Sequence, residues 1–214
     1  LCKLLLAGLL KPSYIPPKGQ RELRDLTRYR KKLIQQVASN KNRVIRVLED
    51  CNVKLSSVLS STSGVTATKL INKLCEGQAI TMQDIDEVYH KRIEASKEDL
   101  WEACNGLVEA HHVFLLRTIQ EDTRHLEGLI AKLDRKIRQV LEPYDNAVEL
   151  LKEIPGLSDK AAEDLIAEIG LDMDVFPSEK HLCSWVGVSP GNNESAGKKK
   201  AVEPRAAINR PSQP

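Results

Sequence analysis

The side chain with the clearest capacity for chemistry is Ser195, which lies in the polar loop SPGNNESAGKKK. Glycine and asparagine accept unusual backbone angles, so a loop of this composition can adopt irregular turns. In a functional interpretation Ser195 is a nucleophile, and Lys198, Lys199 and Lys200 assist its attack on phosphorus. In the alternative interpretation the segment is a solvated basic loop. Because serines are common in such loops, composition alone favours this alternative.

A second candidate site is the sequence IPGLS, which joins two short helical patterns. Glycine permits a tight turn there, and the serine can cap the next helix, whose free N–H groups and positive end attract a phosphate. This order of elements resembles the helix-hairpin-helix motif, although Ser158 stands where that motif usually has a second glycine. An ordinary helix–helix connection fits the pattern almost as well. The residues predicted to grip a nucleic-acid backbone are Pro155, Gly156, Leu157, Ser158 and Lys160.

Positive charge is concentrated near the start of the chain. The net charge is only +2, but residues 18–48 contain ten Lys or Arg residues against Glu22 and Asp25. A local basic stripe indicates nucleic-acid binding better than the total charge does. The candidate phosphate contacts in this stripe are Arg21, Arg24, Arg28, Lys31, Lys32 and Lys41.

The cysteines and histidines give little indication of a metal or cofactor site. Five single cysteines without a CxxC pair indicate reduced thiols in a cytosolic protein. His111 and His112 are adjacent, so a helix would point them about 100° apart, which is unfavourable for one metal ion. We therefore predict no metal site and no cofactor in this chain. The apolar run LCKLLLAGLL is too short to cross a bilayer, so we expect no membrane partner.

The elements that must position these residues are predicted to be helices. Few aromatic residues and many Leu, Lys, Glu and Arg indicate an all-α fold with narrow seams. A helix from Lys18 to about Asp50 carries an a/d heptad pattern interrupted by Arg30 and Asn40, and a second long helix is expected from about Ser96 to Glu142. The pattern predicts an antiparallel coiled coil that closes within one chain or between two. The heptad positions are Leu23, Leu26, Arg30, Leu33, Val37, Asn40, Val44 and Val47, with Leu100, Leu107 and Phe114 beginning the facing stripe.

The organisation that follows from these patterns has four parts. Residues 1–17 form a helix end and a proline-rich linker, and residues 18–144 form the coiled-coil region with a small helical insertion at 51–95. Residues 145–200 contain the predicted helix-hairpin-helix and the serine loop. Residues 201–214 are predicted to be a disordered tail.

Three stretches carry a resemblance to a known family: IPGLSDKAAEDLIAEIG, HLCSWVGVSPGNNESAGK and the segment that begins KPSYIPPKGQRELRDL. They resemble insertion-sequence transposases of the 110/116/902 group. That resemblance implies an N-terminal RNase-H-like domain with four magnesium-binding acidic residues, then a coiled coil and a C-terminal domain with a catalytic serine. It assigns Ser195 as the serine that forms a covalent link to DNA. It also implies DNA and a structured guide RNA as partners, in the bacterial cytoplasm at the nucleoid.

Two departures from the family pattern shape the expected activity. In the family the last acidic pair should fall just before Leu1, so no magnesium ligand is assigned in this sequence. After Lys200 the family continues with a basic, glycine-containing stretch and further helices, and AVEPRAAINRPSQP lacks that pattern. We therefore expect a truncated, inactive transposase remnant that binds nucleic acid and forms homo-oligomers through its coiled coil. The alternatives are a non-enzymatic binding or oligomerisation module and, with less support, a helix-hairpin-helix repair accessory protein.

Overall fold

The computed structural model describes residues 2–9, 14–90 and 92–186, together with the backbone of two short strands. The other regular elements of the described residues are helices, and the two strands β1 (Glu194–Ser195) and β2 (Lys198–Lys199) pair antiparallel with Ser195 opposite Lys198. The expected all-α class is confirmed. The helices are α1 (Cys2–Leu6), α2 (Lys18–Asp50), α3 (Leu55–Val58), α4 (Val65–Cys75), α5 (Met82–Val88), α6 (Lys97–Cys104), α7 (Ala110–Leu141), α8 (Asp145–Lys152), α9 (Asp159–Ile169) and α10 (Glu179–Val186).

The chain divides into two compact units. One comprises residues 1–30 and 133–214 and the other residues 31–132, so both long helices contribute residues to both units. We call the first the corner unit, because it contains the turn between α8 and α9, and the second the cap unit.

No helix in the described part of the chain is long and apolar enough to span a membrane.

The core of the cap unit gathers apolar side chains from six helices. Capping boxes begin two of the short ones: Thr81 and Asp84 satisfy each other's backbone at α5, and Ser96 and Asp99 do the same at α6. Thr81 and Ser96 are therefore the N-caps of α5 and α6. The most buried core residues are Leu48, Val53, Leu55, Leu70, Ile85, Leu100 and Leu116.

The prediction of one continuous helix from Ser96 to Glu142 is wrong, because α6 ends at Cys104 and α7 begins at Ala110. The chain turns aside at Gly106, where a Cβ atom would overlap the carbonyl oxygen of Cys51. The next amide, that of Leu107, donates a hydrogen bond of 2.8 Å to that same oxygen. The break shifts the helical phase, so Leu107 (73% exposed) and Phe114 (68% exposed) leave the predicted stripe.

In the cap unit, the heptad positions Leu33, Val37 and Asn40 of α2 are buried, and Val44 and Val47 are partly buried. Leu33 and Val37 are at most 9% exposed. The polar position Asn40 is also buried, and its amide donates to Asp122 Oδ2 at 2.6 Å and to Thr123 Oγ1 at 3.3 Å, both on α7. The polar residue in the seam is therefore satisfied by partners within the chain, as the pattern requires.

The core of the corner unit joins the start of α2 and the end of α7 to helices near the end of the chain. Leu23 of α2 and Leu141 of α7 share a cluster with Ile166 of α9. Tyr14, Phe176 and Trp185 form a second, aromatic contact with edge-to-face geometry and ring centroids 5.8–6.4 Å apart. Helix α9 is therefore fixed at its buried face, which positions the turn that precedes it.

Candidate nucleic-acid interface

The turn between α8 and α9 is tight and exposed. Gly156 adopts a φ of +89°, a conformation that L-residues avoid, and Leu157 N donates to the carbonyl of Ile154 at 3.1 Å. Ser158 is the N-cap of α9, and its Oγ accepts from Ala161 N at 3.3 Å, so the predicted cap is confirmed. Pro155, Gly156 and Ser158 are exposed and Leu157 is half-buried. The backbone amides at the start of α9 thus open to solvent.

The charges around the start of α9 are mixed. Lys160 is half-exposed, and its Nζ lies 3.2 Å from Oδ2 of Asp134 on α7. Asp159 in the first turn pairs with Lys152 at 3.1 Å. Arg138 is exposed one turn beyond Asp134, and its Nε donates to the Asp134 carbonyl at 3.4 Å. Arg138 was missed in the sequence because only the fold brings α7 beside α9.

Arg30 holds α9 in place from inside the corner unit. Its side chain is 2% exposed and donates to Glu163, to Asp164 Oδ1 at 2.6 Å and to Asp134 Oδ1 at 3.1 Å. Burial lowers the pKa of Arg30, but the hydrogen bonds that Arg30 donates to Glu163 and Asp164 outweigh this effect and leave that pKa raised. The heptad interruption at Arg30 is therefore an anchor for α9 as well as a contact with α7.

Arg24 and Arg28, predicted as phosphate contacts, bind a carboxylate within the protein. Arg28 donates to both oxygens of Glu168 at 2.8 and 3.0 Å, and Arg24 Nε lies 3.1 Å from Glu168 Oε2. The guanidinium of Arg24 also lies over the ring of Trp185 at 5.8 Å, and burial lowers its pKa. Both arginines thus anchor the end of α9, and Arg21, exposed on the same helix, is free of this pairing.

The other predicted basic residues lie elsewhere. Lys31, Lys32 and Lys41 belong to the cap unit, where Lys32 and Lys41 are exposed. Lys41 lines a groove of about 840 Å³ together with Arg117 and Arg124, and three glutamates balance this charge. For the serine loop, the structure describes only the backbone of Ser195, Lys198 and Lys199, and Lys200 and residues 201–214 lie outside the described residues.

One cluster in the cap unit has the composition of a metal site. Ligand atoms of Asp50, His111 and His112 lie within 4.8 Å of one another, so the expectation that the two histidines point apart is wrong. However, His112 Nδ1 accepts from Glu109 N at 3.1 Å, which places the ring proton on Nε2, 3.2 Å from Asp50 Oδ2. A protonated nitrogen cannot ligate a metal. We therefore assign His112 as a buried cap of α7, linked to Asp50 of α2.

These features define a helical protein with an exposed turn that carries both basic and acidic side chains. Residues 148–211 match the model of the Transposase IS116/IS110/IS902 family. The matched segment contains the turn, α9 and Ser195, so this part of the chain is similar to that transposase family. The match continues past Lys200 to residue 211, so the likeness to the family reaches further along the chain than the sequence pattern indicated.

Two curated proteins are similar to part of the chain. The pilin gene-inverting proteins of Moraxella bovis and Moraxella lacunata are each 31% identical over 90 residues. The similarity covers 41% of this chain and 28% of each relative, so the chain spans less than a third of the relatives it matches. No solved structure matches the chain.

Proposed function

We propose that this chain is a nucleic-acid-binding part of an IS116/IS110/IS902-type transposase, and that the α8–α9 turn contacts the phosphate backbone of DNA. The observation that carries the proposal is the coincidence of two independent features. The family match covers the turn, and the turn itself exposes the capped start of α9 with Lys160 in its first helical turn.

The physical basis is the concentration of donors at one exposed end of a helix. The first amides of α9 have no partner within the helix, its dipole is positive there, and Lys160 adds a full charge. Contacts of this kind hold a backbone without reading bases, so binding is expected to be independent of sequence. Arg21 and Arg138 of the same unit are the proposed additional contacts.

A salt titration tests the binding. Fluorescence anisotropy with two duplexes of unrelated sequence should give equal affinities, with log K falling by about 0.9 per phosphate contacted for each decade of salt. A structured RNA of equal length tests the proposed guide-RNA partner, since preference for it over duplex DNA favours RNA as the natural ligand. An affinity that does not change with salt refutes the proposal.

The proposed chemistry is transesterification by Ser195. Its Oγ attacks a phosphodiester, a bond from serine oxygen to phosphorus forms, the bond from phosphorus to the leaving sugar oxygen breaks, and that oxygen takes up the proton. By resemblance the magnesium-binding carboxylates lie in a separate domain, so we propose that this chain by itself does not exchange strands. A covalent DNA adduct on a denaturing gel, lost in Ser195→Ala and retained in the loop control Ser189→Ala, would contradict that inactivity while supporting the nucleophile.

The alternative function, oligomerisation through the heptad seam, has less support. In the cap unit Leu33 and Val37 are already buried within the single chain, and Asn40 donates to Asp122 on α7 of the same chain. A second chain would have to displace those contacts. Sedimentation velocity is therefore expected to show a concentration-independent monomer, and a dimer that Asn40→Leu alters would favour the oligomerisation module.

A further inference from the structure

One carboxylate in the corner unit is shared between a buried and an exposed cation. Asp134 Oδ1 lies 3.1 Å from Nη1 of Arg30, whose side chain is 2% exposed, and Asp134 Oδ2 lies 3.2 Å from Nζ of Lys160, whose side chain is 54% exposed. The two oxygens thus hold different partners. Only the contact with Arg30 is closed off from solvent.

Lys160 is the charged side chain on which the proposed phosphate contact depends. Its ammonium is a point charge on a long flexible stem, so it can leave one anion for another at little conformational cost. Asp134 does not need Lys160 in order to stay paired, because Arg30 remains on its other oxygen. Arg30 in turn has Glu163 and Asp164, so the anchor of α9 persists when Lys160 moves.

We infer that Asp134 is an internal competitor of the nucleic-acid phosphate for Lys160, and that it sets the affinity of the α8–α9 turn. The inference rests on the proposed function, since it concerns the same lysine. In the free protein the ammonium group of Lys160 is paired with the Asp134 carboxylate. When nucleic acid binds, a phosphate oxygen replaces the Asp134 carboxylate as the partner of Lys160. The observed affinity is then lower than it would be without Asp134, because the free energy of the Lys160–Asp134 ion pair is lost on binding.

Removing the competitor should therefore tighten binding. Ion pairs as exposed as this one are weak, and a pair of that strength reduces affinity by about two- to fivefold. Asp134→Asn should raise the affinity for a duplex by that factor. Asp134→Ser keeps an oxygen acceptor near Arg30 and should give the same result if the asparagine variant does not fold.

A charge-matched control distinguishes competition for Lys160 from the general electrostatic effect of removing one negative charge near the turn. Asp164→Asn removes the same charge from the same Arg30 cluster, and among the ion pairs of the described residues Asp164 pairs with Arg30 alone. Anisotropy with a duplex at low salt should show the gain for Asp134→Asn and a clearly smaller one for Asp164→Asn. In a Lys160→Ala background the two variants should become equal.

The outcomes are distinct. Wild-type protein that does not bind the duplex refutes the proposed function and this inference together. Wild-type protein that binds, with equal effects of Asp134→Asn and Asp164→Asn, refutes the inference alone. A gain from Asp134→Asn that persists in full without Lys160 also refutes it, because the competition must act through that lysine.

Discussion

Replacing Arg30 by methionine should destabilise the corner unit strongly. The side chain is 2% exposed and is the common partner of Asp134, Glu163 and Asp164, whose side chains are 11–28% exposed. Methionine fits an apolar heptad position but leaves three carboxylates close together without the cation that they share. Breaking a buried ion pair from one side costs about 3–5 kcal/mol, and we expect a loss within that range.

Urea denaturation measures this loss. With a slope of about 2 kcal/mol/M, a change of that size lowers the unfolding midpoint by about 1.5–2.5 M. Arg28→Met is the matched control, because Arg28 also pairs with an acid of α9 but is 36% exposed, and its loss should cost no more than about 1 kcal/mol. Adding Glu163→Gln and Asp164→Asn to Arg30→Met should recover part of the stability. Equal effects of Arg30→Met and Arg28→Met would refute this account of the anchor.

Three further predictions concern the cap unit and the thiols. The hydrogen bond from Lys73 and the capping interactions with Thr81 lower the pKa of Asp84 to about 2, so its contribution to stability is present above its unfolded pKa and is lost as pH falls toward 2. The difference in urea midpoint between wild type and Asp84→Asn should therefore narrow from pH 7 to pH 2, and a constant difference would contradict this. Burial raises the pKa of Cys75 to about 11 and of Cys104 to about 12, so iodoacetamide at pH 8, followed by mass spectrometry, should leave the buried thiols unmodified until urea is added. The buried thiols are Cys51, Cys75 and Cys104, and the exposed ones, which should react first, are Cys2 and Cys183. Gly106→Ala should destabilise the protein by about 1–3 kcal/mol, since the added methyl group meets backbone, and Gly128→Ala, at an open helical position, should not.

Local patterns predicted the parts of the fold that local physics decides. The N-cap at Ser158 and the turn at Gly156 both depend on residues that are close together in the chain. The heptad pattern likewise predicted which face of α2 is buried, because a helix in contact with a partner must bury one stripe.

The features that the sequence did not predict depend on contacts between residues that are far apart in the chain. The break before α7 depends on Gly106 meeting the backbone at Cys51, and no local signal distinguishes that glycine from one inside a helix. In the same way, the sequence predicts phosphate contacts for Arg24 and Arg28. It cannot show their pairing with Glu168, because Glu168 lies 140 or more residues away in the chain. Arg138 was missed because Asp134, one turn away from it on α7, contacts Lys160 only after α7 and α9 pack.

The most direct test of the central claim is the salt dependence of DNA binding by Lys160→Ala. Lys69→Ala is the control, because Lys69 is an exposed lysine of the cap unit. If the α8–α9 turn contacts the backbone through Lys160, the slope of log K against log salt should fall in magnitude by about 0.9 in Lys160→Ala and stay unchanged in Lys69→Ala. A slope and an affinity in Lys160→Ala equal to those of the wild type would contradict the assignment of this turn as the nucleic-acid interface.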